Sequence, residues 1–323
     1  MHRPAGFMWP LVDGYQVGQV RDGEGRPMPI ESIAVGPGGE YIALSGTDKK
    51  IRIWSTLRRT EVSKLGHPRR IQGMGFLDQL ASIYALHDNI GILWEKRNAQ
   101  KRWKRNPMDG ADFGPQPVHA VALGRVAVAN KAGSVKLYAF KKANGAWPEP
   151  QTLFNQPKVT AMKFAGNGQV LFGGTSDGLL WQSGTSSGTM RALHAFEQTI
   201  TSIDVDEEGT RALVGLASGD AVLFSVAAGG VERVYASGAR GAAAFGALFA
   251  AGGKAVVHGT AQGCALVWDT AKAQVVYGMN NSEGASLAYE GEDGKPGFII
   301  TGSKGGQLVW WAQPSSSSKR RTE

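Results

Sequence analysis

The sequence has almost no cysteine, few charged residues and no long apolar run. Cys264 is the only cysteine, which excludes an intramolecular disulfide. Charged residues make up 19% of the 323 residues, whereas glycine occurs 45 times. The longest run of small and apolar residues, 241–253, is shorter than the roughly 20 residues of a membrane-spanning helix. Residues 1–12 lack the apolar segment of a secretory leader, so we expect an intracellular protein.

Patterns that carry catalysis or bind metals and cofactors are also missing. None of the six histidines has the spacing of a metal site with a cysteine or a second histidine. No phosphate-binding loop of the Walker type is present. Two Gly-x-Ser-x-Gly matches, at 174–178 and 184–188, flank one predicted strand, whereas hydrolases place this motif at a strand-to-helix elbow. We therefore predict a protein that is not an enzyme and has no catalytic residue, metal or cofactor.

The most informative pattern in the sequence is a repeat of about 43 residues. Short apolar runs end on a bulky aromatic residue seven times, at steps of 40, 44, 43, 43, 44 and 43 residues. A nearly constant period of this length indicates one supersecondary unit that is repeated along the chain. The aromatic residues are Trp54, Trp94, Tyr138, Trp181, Phe224, Trp268 and Trp311.

Each repeat divides into four predicted β-strands. In the first repeat these are 30–35, 41–44, 51–54 and 60–65, separated by turns at 36–39 and 47–50. Glycine suits such turns because tight hairpins need positive φ, and no stretch keeps the periodicity of a helix. Seven units of four antiparallel strands predict an all-β fold, a seven-bladed β-propeller.

Three motifs in these repeats are similar to those of the WD-repeat β-propeller family. Gly66-His67 precedes a predicted strand, two aspartates each lie six residues before a tryptophan, and Trp268-Asp269 is a literal Trp-Asp pair. The chain resembles this family over about residues 15–313. The resemblance implies that histidine, aspartate and tryptophan side chains brace a blade through hydrogen bonds. The residues that fit this structural role are His67, Asp88, Trp94, Asp48, Trp54 and Trp268.

The chain also departs from the family pattern. Only the second repeat offers the full set of histidine, aspartate and tryptophan, as His67, Asp88 and Trp94. In five other repeats a different residue holds the position of the turn aspartate. We therefore expect a divergent member, in which those blades depend on apolar packing. The five positions are Ala132, Thr175, Ser218, Gln262 and Gly305.

Both ends of the repeat region bear on how the ring closes. The last repeat lacks a fourth strand after Trp311, and a spare strand-like segment lies at 15–20, before the first repeat. The resemblance implies that this N-terminal strand completes the seventh blade, which would remove two exposed sheet edges. We predict an N-terminal extension at 1–14, the propeller at 15–313 and a disordered basic tail at 314–323.

Positive charge is concentrated in the first three repeats. The chain carries a formal charge of +8, and residues 49–142 contain 19 Lys and Arg against 6 Asp and Glu. The family arrangement implies two patches, one at the turns and linkers of one face and one at the opposite face and outer rim. The candidate residues for binding an anion or a partner are Lys49, Lys50, Arg69 and Arg70 in the first patch, and Lys96, Arg97, Lys101, Arg102, Trp103, Lys104 and Arg105 in the second.

Three interpretations of these cations remain open. They can be solvated charges that protect an outer strand from unwanted pairing. They can bind an acidic protein or the phosphates of RNA or DNA, with Trp103 stacking on a base. They can also bind an anionic membrane surface. The membrane interpretation is disfavoured, because the segment 57–60 departs in its final residue from the paired-arginine motif of lipid-binding propellers.

The fold and the missing catalytic patterns favour a non-enzymatic scaffold for protein–protein interaction. We expect one subunit of a larger assembly, located in the cytoplasm or nucleus, whose partners are other proteins. The alternative is a nucleic-acid-associated propeller, for instance in a ribonucleoprotein, that uses the basic surface of the first three blades.

Overall fold

The described residues of the computed structural model form 28 β-strands in seven sheets. These residues are 15–77, 82–87, 90–97, 102–108, 117–122, 124–139, 150–165, 168–238, 246–260, 265–279, 285–289 and 297–312. The predicted N-terminal extension, 1–14, and basic tail, 314–323, lie outside them. No helix in this part of the chain has the length and apolar character needed to cross a membrane.

Every sheet has four antiparallel strands, which are hydrogen-bonded in order from the inner to the outer strand, and we call each sheet a blade. Blade 1 is β2 (Ile30–Val35), β3 (Tyr41–Gly46), β4 (Lys50–Ser55) and β5 (Thr60–Gly66). Blade 2 is β6 (Gly73–Phe76), β7 (Ile83–His87), β8 (Ile90–Arg97) and β9 (Arg102–Met108). Blade 3 is β10 (Val118–Ala122), β11 (Arg125–Ala129), β12 (Ser134–Ala139) and β13 (Gln151–Asn155).

The remaining blades follow the same order. Blade 4 is β14 (Val159–Ala165), β15 (Val170–Thr175), β16 (Leu179–Gly184) and β17 (Met190–Ala195). Blade 5 is β18 (Ile200–Val205), β19 (Arg211–Leu216), β20 (Ala221–Ser225) and β21 (Gly230–Tyr235). Blade 6 is β22 (Leu248–Ala250), β23 (Ala255–Gly259), β24 (Ala265–Asp269) and β25 (Gln274–Met279). Blade 7 is β26 (Ala285–Tyr289), β27 (Phe298–Gly302), β28 (Gln307–Ala312) and β1 (Tyr15–Gln19).

The inner strands close the blades into a ring. Each inner strand contacts the next, from β2 through β6, β10, β14, β18 and β22 to β26, which contacts β2 again. Strand β1 pairs with β28, so that Tyr15 lies opposite Trp310 and Gln19 lies opposite Gln307. The predicted seven-bladed propeller and its closure by the N-terminal strand are therefore confirmed.

Polar contacts also join neighbouring inner strands. One carboxylate oxygen of Asp204 on β18 lies 2.8 Å from Nζ of Lys163 on β14. The other accepts a hydrogen bond of 2.8 Å from the backbone N–H of Phe249 on β22. The attraction of Asp204 raises the pKa of Lys163, which keeps the amine charged. One carboxylate thus connects blades 4, 5 and 6.

The register of blade 4 differs from the one that the aromatic spacing predicts. In blade 1, Ile42 lies opposite Trp54, but the corresponding residue of blade 4, Leu171, lies opposite Ser183. Trp181 stands two residues earlier on the strand and lies opposite Gly173. The same register aligns Asp177, not Thr175, with Asp48. The assignment of Thr175 to the turn position was therefore wrong, and blade 4 does have a turn aspartate.

Polar contacts also brace blades that we expected to depend on apolar packing. Oγ1 of Thr175 donates a hydrogen bond of 2.5 Å to Asp177 in blade 4. Oγ of Ser218 donates one of 3.1 Å to Asp220 in blade 5. In blade 7, Nε1 of Trp311 donates one of 3.0 Å to Thr301. None of these contacts is the brace of histidine, aspartate and tryptophan, so they add local polar contacts to these three blades, and the expectation that the blades depend on apolar packing instead of that brace stays a prediction.

Candidate interaction surface

The turns between the second and third strands of the blades share one face of the ring with the linkers that connect successive blades. We call this surface the linker face. Backbone hydrogen bonds hold turns and linkers together there. The N–H of His67 bonds to the carbonyl of Lys49 at 2.8 Å, and that of Phe196 bonds to Gly178 at 2.9 Å. At these described turns and linkers, the backbone of the linker face is held by hydrogen bonds.

His67 organises the linker face at blades 1 and 2. Its backbone N–H bonds to the turn at Lys49, and its Nδ1 lies 2.7 Å from the carbonyl oxygen and 3.1 Å from the backbone nitrogen of Arg69. The side chain is 5% exposed, and its ring packs against Trp94 with the centroids 5.9 Å apart. His67 therefore fixes the backbone next to two cationic side chains.

Burial lowers the pKa of His67, and the charges of His87 and Arg105 add to this effect. A neutral imidazole is the consequence at neutral pH. Nε2 is buried and has no hydrogen-bond partner among the described residues. Asp88, its expected partner in the brace, lies outside those residues. The brace formed by His67, Asp88 and Trp94 thus stays a prediction.

Asp48 forms an ion pair instead of contacting a histidine. Its carboxylate oxygens lie 3.0 and 2.6 Å from the guanidinium of Arg52, which is 1% exposed. Arg52 also donates to the carbonyl of Arg21 at 2.8 Å and lies 3.2 Å from the sulfur of Met28. Sequence reasoning missed Arg52, although a charged residue in an otherwise apolar strand was a usable signal. The pair connects blade 1 to the linker 20–29 that follows β1.

The two other tryptophans assigned to the brace lie in apolar surroundings. Trp54 packs against the core shared by blades 1, 6 and 7, and its Nε1 is buried without a hydrogen-bond partner in the described segments. Trp268 packs against Tyr235 and His258, with ring centroids 6.2 and 6.3 Å apart. Neither contact tests the hydrogen-bonded brace, which remains a prediction for these residues.

Arginine side chains neutralise the carboxylates near the turn of blade 1. Asp22 pairs with Arg26 at 2.9 Å, Glu31 pairs with Arg70 at 3.0 Å, and Asp48 pairs with Arg52. Three neighbouring cations have no acidic partner among the described residues. Lys49 and Arg69 are exposed, and Lys50 is partly exposed. We call this group, Lys49, Lys50 and Arg69, the basic corner.

The second predicted patch lies on the two outer strands of blade 2. Trp103 is partly buried and packs against the core between blades 1 and 2, while Lys104 and Arg105 are exposed. Arg105 lies opposite Trp94 and is close enough to His67 to lower its pKa, so this patch approaches the linker face. Lys96, Arg97 and Arg102 lie on the same strands, and Lys101 lies outside the described residues.

Comparison with known proteins agrees with this architecture. The model of the WD domain, G-beta repeat, matches residues 19–55, which run from the end of β1 to the end of β4. No curated protein matches the chain. Within the described ranges, no group of three or more His, Cys, Asp or Glu side chains could hold a metal ion. The matched repeat and the closed ring of seven four-stranded blades identify the chain as a WD-repeat β-propeller.

Proposed function

We propose that the chain is a non-enzymatic platform for protein–protein interaction and one subunit of a larger intracellular assembly. WD-repeat propellers generally mediate interactions between proteins, which supports the first part of the proposal. The observation that carries it is the linker face, where exposed side chains stand on backbone that is already hydrogen-bonded. A partner that binds there loses little entropy in ordering loops.

The same arrangement is present in blades 4 and 5. In blade 4 the N–H of Ser176 bonds to the carbonyl of Lys158 at 2.8 Å, and in blade 5 that of Ala217 bonds to Thr199 at 3.0 Å. These bonds connect each turn to the linker before its blade, whereas the bond between His67 and Lys49 connects a turn to the linker after it. The linker 196–199 is therefore held at both ends, by Gly178 of blade 4 and by Ala217 of blade 5, which supports a rigid docking surface at these two blades.

The test is purification of the tagged full-length chain from the cells that produce it, followed by size-exclusion chromatography and identification of co-eluting proteins. We expect stoichiometric partners that persist at 0.3 M salt, which is about twice physiological ionic strength. Elution at the size of the monomer, with no partner at any salt concentration, would contradict the proposal.

Nucleic-acid binding is the second candidate, because Lys104 and Arg105 are exposed on the basic outer strand of blade 2. If six phosphates are contacted, affinity should fall about a thousandfold between 50 and 200 mM salt. Reversing Arg102 and Arg105 to glutamate should then weaken RNA binding without unfolding the chain. Absence of RNA and DNA binding at 50 mM salt would eliminate this candidate. The packing of Trp103 against the core speaks against base stacking there.

A further inference from the structure

The turn of blade 1 places a lysine where four other blades use glycine. Lys49 is the fourth residue after Ser45, the last residue of β3 that pairs with β4. It has φ of 58°, in the left-handed region. The same turn position in blades 3, 4, 5 and 7 has φ between 77° and 92° and is held by Gly133, Gly178, Gly219 and Gly306.

Glycine is the residue that this position normally requires. A Cβ atom at Gly178 would lie 2.0 Å from the carbonyl oxygen of Phe196, and one at Gly306 would lie 2.7 Å from that of Val20. An L-residue with a left-handed backbone costs free energy even where space is available. Lys49 therefore stands at a position where glycine would serve the fold better.

The carbonyl of Lys49 accepts a hydrogen bond from His67, as a glycine carbonyl would, but no side-chain contact among the described residues accounts for the lysine. Its side chain is exposed and has no acidic partner among the described residues, since Asp48 is occupied by Arg52. Four other non-glycine residues of the described chain also have a left-handed backbone, with φ between 51° and 61°, so this conformation alone does not mark a binding site. What distinguishes Lys49 is the combination of a position that four blades give to glycine with an exposed amine that has no acidic partner among the described residues.

The neighbours of Lys49 define the chemistry of such a ligand. Arg69 is held next to the turn by His67, and Lys50 follows Lys49 in the chain. The surrounding carboxylates Glu31 and Asp48 are already paired with arginines, so they do not neutralise these cations. An arginine and a lysine on fixed backbone suit carboxylates, because arginine binds them with two parallel hydrogen bonds.

We propose that the basic corner, Lys49, Lys50 and Arg69, binds an acidic segment of a protein partner. This inference rests on the proposed function and assigns one docking point to it. Two of the three cations are adjacent in one turn, and the third follows the linker residue that is hydrogen-bonded to this turn, whereas nucleic acid is usually bound along an extended basic surface with aromatic stacking. The aromatic side chains of the basic strands, Trp94 and Trp103, are packed in or against the core. These observations favour a short run of Asp and Glu over a phosphate backbone.

The test uses the full-length chain and a fluorescent peptide of alternating Asp and Glu, with the Asn and Gln peptide and a uridine oligonucleotide as competing probes. Lys49→Glu with Arg69→Glu should weaken binding of the acidic peptide at least tenfold. Lys131→Glu is the matched control, because Lys131 is an exposed lysine in the corresponding turn of blade 3. It should leave the affinity within about twofold, since charges separated by more than a Debye length are screened.

Lys49→Gly separates binding from stability. It should weaken peptide binding severalfold while the thermal midpoint stays equal to or above that of the parent chain, because the backbone strain is removed. A lower midpoint would show that Lys49 supports the fold and would overturn the argument from strain.

Other outcomes would overturn the site itself. Equal losses in the Lys131 variant would show unspecific attraction, and tighter binding of the oligonucleotide than of the peptide would indicate nucleic acid as the ligand. If the variant with Lys49→Glu and Arg69→Glu still co-purifies with every partner, the proposed function stands, but the proposal that the basic corner binds a partner is wrong. If no partner is found for the parent chain, the proposed function fails whatever the peptide does.

Discussion

Three histidines are packed inside the blades, and burial lowers the pKa of each. His67 and His258 are buried, and Nε2 of His258 lies 2.8 Å from the carbonyl oxygen of Gly219. His119 keeps a partly exposed edge and packs edge-on against Tyr84, with the ring centroids 5.8 Å apart. Its pKa falls to about 4, from an ordinary value of 6.5. The fold therefore holds these imidazoles in the neutral form.

The pH dependence of stability follows from the sign of these shifts. Below pH 6.5 these histidines bind protons in the unfolded chain but not in the folded chain. The free energy of unfolding therefore decreases as the pH falls from 6.5 towards 4. Each such histidine contributes a slope of up to about 1.4 kcal/mol per pH unit. We expect His119→Gln to flatten the loss of unfolding free energy between pH 6.5 and 4.5, measured by urea denaturation. An unchanged slope would contradict the assigned cause.

Trp181 depends on a glycine in the strand beside it. A Cβ atom at Gly173 would lie 1.9 Å from Cζ2 of Trp181, which is fully buried and packs edge-on against Phe154 at 5.0 Å. The corresponding pair in blade 5 is Val214 opposite Val222. In blade 4, the large side chain of Trp181 thus occupies the space beside Gly173, whereas in blade 5 two valines of medium size share the equivalent space.

Gly173→Ala should destabilise the protein by about 1–3 kcal/mol, because it forces a methyl group into a filled core. Adding Trp181→Val should recover part of the loss, since the overlap is removed while a gap remains beside Phe154. Urea denaturation of both single variants and the double variant gives the coupling energy. Strictly additive losses would show that the two residues do not share this space.

At the scale of the strand and turn, different blades fill equivalent positions with chemically different side chains. Blade 1 uses Asp48 and a buried Arg52, whereas the same two positions in blade 5 hold Ser218 and Val222. The ion pair also anchors the linker 20–29 through the carbonyl of Arg21. Such a pair connects elements, but it makes each partner dependent on the other.

Arg52→Val alone should cost about 3–5 kcal/mol, because it leaves the carboxylate of Asp48 partly buried without its partner. The double variant Asp48→Ser with Arg52→Val copies blade 5 and should be more stable than the single variant. Midpoints in guanidinium chloride provide the measurement. If the double variant is the less stable of the two, desolvation of Asp48 is not the cause of the loss.

The sequence predicted the number of blades better than the register within them. A constant spacing of strand-ending aromatics is enough to count repeats, because each repeat must bury the same face. It could not show that Ser183, and not Trp181, aligns with Trp54, since residues two apart on a strand point to the same side. That shift in turn concealed the equivalence of Asp177 and Asp48.

The candidate surface was predictable in position but not in charge balance. The order of strands along the chain is enough to predict that Lys49 and Arg69 share one face. Which cations stay uncompensated depends on contacts between distant residues, such as Arg70 with Glu31, 39 residues away. The sequence alone shows that the turn 47–50 lacks glycine. The register that blade 1 shares with blades 3, 4, 5 and 7 is needed to show that Lys49 occupies the same turn position as their glycines.

At the scale of the whole molecule, one strand closes the ring. Gln19 lies opposite Gln307 in the ladder between β1 and β28. Residues opposite each other in antiparallel strands have Cα atoms about 4.5–5.5 Å apart, within the range of a disulfide. A cross-link there would connect the two ends of the propeller covalently.

Gln19→Cys with Gln307→Cys, in a Cys264→Ser background, should form this disulfide on oxidation and stabilise the ring by about 2–4 kcal/mol. Thermal unfolding of oxidised and reduced samples is the measurement, and each single cysteine variant serves as a control. Failure to cross-link in the monomer, or cross-linking between molecules only, would contradict closure by β1.

The position of β1 in blade 7 also means that the blade at which the chain begins and ends can be changed. Since the first and last strands of the ring are hydrogen-bonded neighbours, the two ends of the propeller meet in one sheet. A circular permutant that joins these ends and opens the chain in another exposed turn would keep every blade-to-blade contact. Closure could then be moved to any blade, including the one that carries the basic corner.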